Sequence, residues 1–142
     1  MSKTIGFTGT RDGLSEDQVF ELSRLFAEYS ESHDTFIHGD CIGADADADN
    51  IAYSMGYAIK MRPCTLLNMR ANCRSGIIVA EPMPPLERNK LIVGDSDVMF
   101  ACPKEFKEVR HSGTWATVRH SIRTGTKLVI IYPDRTMEIK ND

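Results

Sequence analysis

Three short stretches of this 142-residue sequence combine glycines with hydroxyl, carboxylate or guanidinium side chains, each where a helix begins. Glycine lets a backbone come close to a ligand, and the free N–H groups at a helix start attract anions. The first stretch is Thr8-Gly9-Thr10-Arg11, whose guanidinium can pair bidentately with phosphate. The same residues also make a plain turn with a solvated arginine. The second is Gly39-Asp40-Cys41-Ile42-Gly43-Ala44-Asp45. Asp45 suits the first turn of a helix, where the dipole favours a carboxylate, and it reads equally as a cap. Asp40 is harder to explain as structure and suits an acceptor for ribose hydroxyls. His38, just before it, reads better as a satisfied core histidine than as a ligand contact. The third is Ser112-Gly113-Thr114, either a phosphate cradle or an ordinary serine N-cap. Trp115 reads as core, with stacking on a base as the alternative.

These turns need elements to hold them, and the sequence alternates strand and helix signals, the pattern of parallel βαβ units. Five strands are expected, at residues 4–8, 35–38, 57–61, 97–101 and 127–132. Ser15 with Gln18 forms a capping-box pattern, followed by Val19, Leu22, Leu25, Phe26 and Tyr29 at helical spacing. Ala44, Ala48, Ile51, Ala52 and Met55 make a second stripe that ends at Gly56. Proline punctuation precedes a helix at 86–93, where Arg88 and Asn89 face either the same crevice or solvent. A fourth helix runs from 113 to 123. Residues 66–74 suggest a short helix, 77–80 are apolar and ambiguous, and 134–142 are an edge strand or a loose tail. Residues 104–111 form a charged connection, a lid or a solvated loop. The expected fold is α/β: a Rossmann-like, doubly wound, mainly parallel sheet of about five strands with flanking helices, in one domain over 1–142.

Bulk properties narrow the function. Hydrophobic content is 42%, charged content 26% and formal net charge −3. An acidic balance argues against wrapping a nucleic-acid backbone. No apolar run approaches the roughly 20 residues of a membrane helix, and no signal-peptide pattern opens the chain, so a cytoplasmic protein is expected. Cys41, Cys64, Cys73 and Cys102 match no common zinc spacing and are expected as free thiols; no metal or cofactor is assigned. The P-loop, dinucleotide and nucleophile-elbow signatures are all absent.

Taken together, Gly6-Phe7-Thr8-Gly9-Thr10-Arg11, His38 to Asp45, Arg88-Asn89 and Ser112 to Thr117 resemble the SLOG superfamily. The nearest likeness is to its YspA-like, YpsA-related branch, with Lonely Guy phosphoribohydrolases and DNA-processing protein A more distant. The resemblance implies a nucleotide-type small molecule as ligand, one derived from NAD among the candidates, and a homo-oligomer. It maps the ligand contacts onto Thr8, Gly9, Thr10, Arg11, Gly39, Asp40, Gly43, Asp45, Arg88, Asn89, Ser112, Gly113 and Thr114. Arg11 and Arg88 would neutralise phosphate. The enzyme branch carries P-G-G-x-G-T-x-x-E. Here Gly113-Thr114 match the G-T, the leading P-G-G is missing, and Thr117 stands at the glutamate position. That departure favours a sensor or sequestering module over a nucleotide N-glycosidase.

Overall fold

The computed structural model describes residues 2–142. Its elements run β1 (Thr4–Gly9), α1 (Glu16–Tyr29), β2 (Thr35–His38), α2 (Ala44–Ser54), β3 (Ala58–Met61) and β4 (Gly76–Val79). They continue as α3 (Pro85–Asp95), β5 (Val98–Cys102), α4 (Gly113–Thr124), β6 (Lys127–Ile131) and β7 (Met137–Lys140). The seven strands form one sheet in the order β4-β3-β2-β1-β5-β6-β7. All neighbours are parallel except the antiparallel pair β6 and β7. The chain winds outward from β1 to β4, then returns to the other side of β1 at β5. That reversal creates a crevice at the carboxyl ends of β1 and β5.

Alternation along the central strands loads both faces. Ile5, Phe7, Phe36 and Phe100 pack with Leu22, Leu25 and Phe26 of α1 and with Ala44, Ala48 and Ala52 of α2. The small α2 residues let that helix lie close to the sheet. Phe26 sits at the centre, 5.2 Å from Phe36 and 5.5 Å from Phe100 between ring centroids. On the other face, Met99, Ala101, Leu128 and Ile130 meet Ile92 and Val93 of α3 and Trp115 and Val118 of α4. The capping box forms as expected, with the Gln18 amide donating to Ser15 Oγ at 3.1 Å and the Ser15 amide to Gln18 Oε1 at 3.0 Å. No described helix is long and apolar enough to cross a membrane.

The doubly wound α/β class agrees with the sequence, but the sheet has seven strands rather than five. The ambiguous stretch at 77–80 is edge strand β4, and the tail contributes β7. The helix expected at 66–74 shrinks to one 3-10 turn, Leu67–Met69. Its backbone is engaged elsewhere: Met69 O accepts from the Ile42 amide at 3.0 Å, and the Ala71 amide donates to Asp40 O at 2.8 Å. Beyond that single turn, this segment docks on the turn after β2 rather than continuing as a helix.

Candidate functional site

A cavity of about 450 Å³ lies at the β1/β5 reversal. The turn after β1 forms its floor. The Thr10 amide donates to Cys102 O at 3.1 Å, tying the turn to β5. Thr10 Oγ1 accepts from the Asp12 amide at 3.1 Å. Thr8, Gly9, Thr10 and Arg11 all line the cavity. Arg11 is exposed, its Nη2 resting 3.3 Å from Met69 Sδ. Gly9 also has a packing reason: a Cβ there would meet the Ala44 Cβ at 2.6 Å.

The turn after β2 divides in two. Gly39, Cys41 and Asp45 line the cavity; Asp40 and Gly43 do not. Asp40, expected to accept from ribose hydroxyls, has a left-handed backbone (φ 54°) and is 1% exposed. Its Oδ1 accepts from the Cys73 amide at 2.9 Å. Its Oδ2 lies 3.8 Å from Arg70 Nε without a hydrogen bond. This carboxylate holds the docked 70–73 segment, not the cavity. Gly43 (φ 89°) lies so close to the Arg11 backbone that any Cβ would overlap it. The adjacent Ala44 amide donates to Thr10 O at 2.9 Å, so the α2 N-terminus is closed by the first turn.

Asp45 Oδ2 accepts from the Gly39 and Cys41 amides, each at 3.1 Å. Burial pushes its carboxyl above the usual carboxylate range; Arg88 and the two amides offset only part of that. Burial likewise pushes the Cys41 thiol up to about 11.

His38 is the satisfied core histidine the sequence suggested. Its Nδ1 accepts from the Asp40 amide at 2.9 Å, so the ring proton sits on Nε2 and is donated to Asp49 Oδ1 at 2.8 Å. Burial opposes ionisation of Asp49, but hydrogen bonds from His38 and Ser75 outweigh it and lower its pKa. His38, Asp49 and Cys73 bring their ligand-type atoms within 4.8 Å of one another. With Nδ1 accepting and Nε2 protonated, however, the imidazole has no lone pair left for a metal.

Arg88 and Asn89 reach the cavity from α3. Arg88 is 4% exposed and acts mainly as a clamp. Its Nη1 donates to Gly39 O at 2.6 Å and Arg62 O at 3.2 Å, its Nη2 to Cys41 Sγ at 3.4 Å, and its Nε to Asn89 Oδ1 at 2.8 Å. Four of its five N–H groups therefore serve the chain, all through neutral acceptors, so its positive charge persists while few of its donors remain for a ligand. A Cβ on Gly39 would overlap the guanidinium as it lies, so a larger residue there would have to displace Arg88.

Ser112, Gly113 and Thr114 line the opposite wall at the start of α4. Ser112 Oγ caps the helix by accepting from the Trp115 amide at 3.3 Å. The Gly113 and Thr114 amides have no hydrogen-bond partner among the described residues. Trp115 is core, with Nε1 donating to Glu105 Oε1 at 3.0 Å, and it takes no part in the cavity lining. Thr117, at the glutamate position of the enzyme motif, is 2% exposed and donates to Gly113 O at 3.0 Å, folded back on its own helix. The 104–111 connection forms a wall: Lys104, Glu105, Val109 and His111 line the cavity, and Phe106 stacks on Tyr132 at 6.0 Å.

Sequence reasoning missed the apolar lining. Pro85, Leu86 and Ile92 line the cavity beside Arg88 and Asn89. Positions 85, 88, 89 and 92 share one helical face, so that spacing carried the signal. Nothing local marked Met69, which arrives only because its loop docks on the turn after β2.

No family model and no curated protein matches the sequence. Among solved structures, the chain is similar to the molybdenum cofactor binding protein of the phototrophic bacterium Rippkaea orientalis. The TM-score is 0.71 at 15% identity, over 93% of this chain and 77% of that one. It is similar to DNA processing protein A of Streptococcus pneumoniae, with TM-score 0.70 and 17% identity over 91% of this chain and half (50%) of that one. It is also similar to DNA processing protein A of Helicobacter pylori, described as binding single-stranded DNA, with TM-score 0.65 and 18% identity over 98% and 69%. At these identities the likeness establishes the fold alone: a Rossmann-like, mostly parallel α/β sheet with flanking helices.

Proposed function

We propose that this chain binds a nucleotide or nucleotide-derived small molecule, with NAD-derived compounds the first to test, and holds it without cleaving it. One observation carries the proposal: the cavity offers unengaged donors and engaged carboxylates. The Gly113 and Thr114 amides are free, and Arg11 stands exposed at the rim. Each lining carboxylate already accepts from the chain: Asp45 from two amides, Glu105 from Trp115, and Asp12 from Lys104 at 3.1 Å. Such a site is complementary to an acceptor-rich anion. Its apolar side, Pro85, Leu86, Ile92 and Val109, suits a flat heterocycle.

The structural neighbours support the same chemistry from two directions. One binds a molybdenum cofactor and another single-stranded DNA, and both ligands join a heterocycle to phosphate. A small molecule is favoured over a polynucleotide here because the chain carries net charge −3. The reading includes a single domain of the YspA-like branch, a cytoplasmic location and self-association. Exposed Ile77, Ile78 and Val79 on edge strand β4 provide an apolar surface for the last.

One observation favours a second reading, nucleotide N-glycosidase activity. Asp45 is a buried carboxyl on the cavity wall with a raised pKa, the character of a general acid. A single experiment separates the two. The protein is mixed with mononucleotides, dinucleotides and ADP-ribose, its melting temperature is recorded, and the mixtures are analysed for free base. Stabilisation without product is expected. Stabilisation with release of base moves the assignment to the enzyme, and no stabilisation by any compound refutes both.

A further inference from the structure

The Arg88–Asn89 pair fixes something neither residue would fix alone. An asparagine amide can ordinarily present either its oxygen or its nitrogen to a ligand. Here Arg88 Nε–H, a donor only, lies 2.8 Å from the Asn89 carboxamide, so the atom facing it is Oδ1. Arg88 itself cannot swing away, since it is buried and bonded to Gly39 O, Arg62 O and Cys41 Sγ. Asn89 Nδ2 has no hydrogen-bond partner among the described residues, and the residue lines the cavity. The site therefore holds a neutral, donor-only group in a preset orientation.

Its place decides what it meets. Arg88 anchors the pair at the end of β2, through Gly39 and Cys41. The free Gly113 and Thr114 amides belong to the helix that follows β5. Asn89 thus enters the cavity from α3, while the free amides enter it from the N-terminus of α4. A nucleotide filling the cavity can meet both at once, through different groups.

We propose that Asn89 is the specificity-determining residue of this cavity: it donates through Nδ2 to an acceptor on the sugar or base of a ligand whose phosphate lies at the α4 N-terminus. This rests on the nucleotide-binding reading above and adds the direction of the ligand. Arg88 is then a positioning residue, acting through Gly39 and Asn89.

The test uses two probes, adenosine 5′-monophosphate and inorganic phosphate, with calorimetry on the whole chain. Asn89→Leu removes the donors. Asn89→Asp removes them too but keeps an acceptor for Arg88 Nε, so its melting temperature stays at the wild-type value. Both variants are expected to bind the nucleotide at least tenfold more weakly, while Asn89→Leu binds inorganic phosphate within twofold of wild type. Wild-type nucleotide affinity in Asn89→Asp would reduce Asn89 to a support for Arg88 and overturn the proposal. Equal losses for both probes in Asn89→Leu would also overturn it, by placing the residue at the phosphate. Wild-type protein that binds neither probe overturns the pocket reading itself, and this role with it.

Discussion

Individual side chains in and around this cavity do different work from what their types suggest. Arginine and aspartate beside glycine turns look like ligand contacts, yet Asp40 serves a neighbouring loop and Arg88 mainly clamps the turn after β2. What decides their roles is burial with a chain partner, which composition cannot reveal. Asp45 makes the point testable. Burial raises its pKa above the ordinary aspartate value, so its contribution to stability is full below that ordinary value and is lost as pH rises through the folded pKa. Asn in its place keeps an oxygen for the Gly39 and Cys41 amides and removes the buried charge. Asp45→Asn should melt at or above the wild-type temperature at pH 7, with the advantage shrinking towards pH 4. At this chain length each kcal/mol corresponds to about 3 °C. A variant that melts several degrees lower at both pH values would show that the charge itself holds the turn.

At the scale of elements, the strand-to-helix turns were legible where local chemistry determines them. The Ser15–Gln18 box and the Ser112 cap follow directly from residue type and spacing. The loop from 62 to 75 was not legible, because its backbone bonds go to Asp40 and Ile42, far away in sequence. Strand β4 was ambiguous for a related reason. Gly76-Ile77-Ile78-Val79 is short, lacks alternation and pairs with β3 through a register shift. Part of the site inherits this blindness: eleven of the thirteen expected residues line the cavity, while its apolar side emerges only when α3 and the docked loop converge. The Gly39–Arg88 contact between elements gives a second prediction. Gly39→Ala should cost about 2 kcal/mol by driving a methyl into the guanidinium. In an Arg88→Met background the same change should cost less than half as much, read by urea denaturation as a double-mutant cycle. Additive losses would mean that the two residues are not in contact in solution.

For the molecule as a whole, the order of winding sets the location of the site. Two aromatic-rich and aliphatic layers hold the sheet from both faces, and the reversal at β1 and β5 opens the one crevice that three turns share. The sequence conveyed this class through its alternating strand and helix signals, and left open the two edge strands, which least affect where the crevice falls. The central claim is that the first turn and the α4 N-terminus bind one anion together. Amide chemical shifts measured during titration with adenosine 5′-monophosphate test it most directly. Gly9, Thr10, Gly113 and Thr114 should move together on a single saturating curve, while Gly43 and Ala44, closed off by the first turn, stay nearly fixed. Shifts confined to another surface, or separate curves for the two turns, would contradict the account.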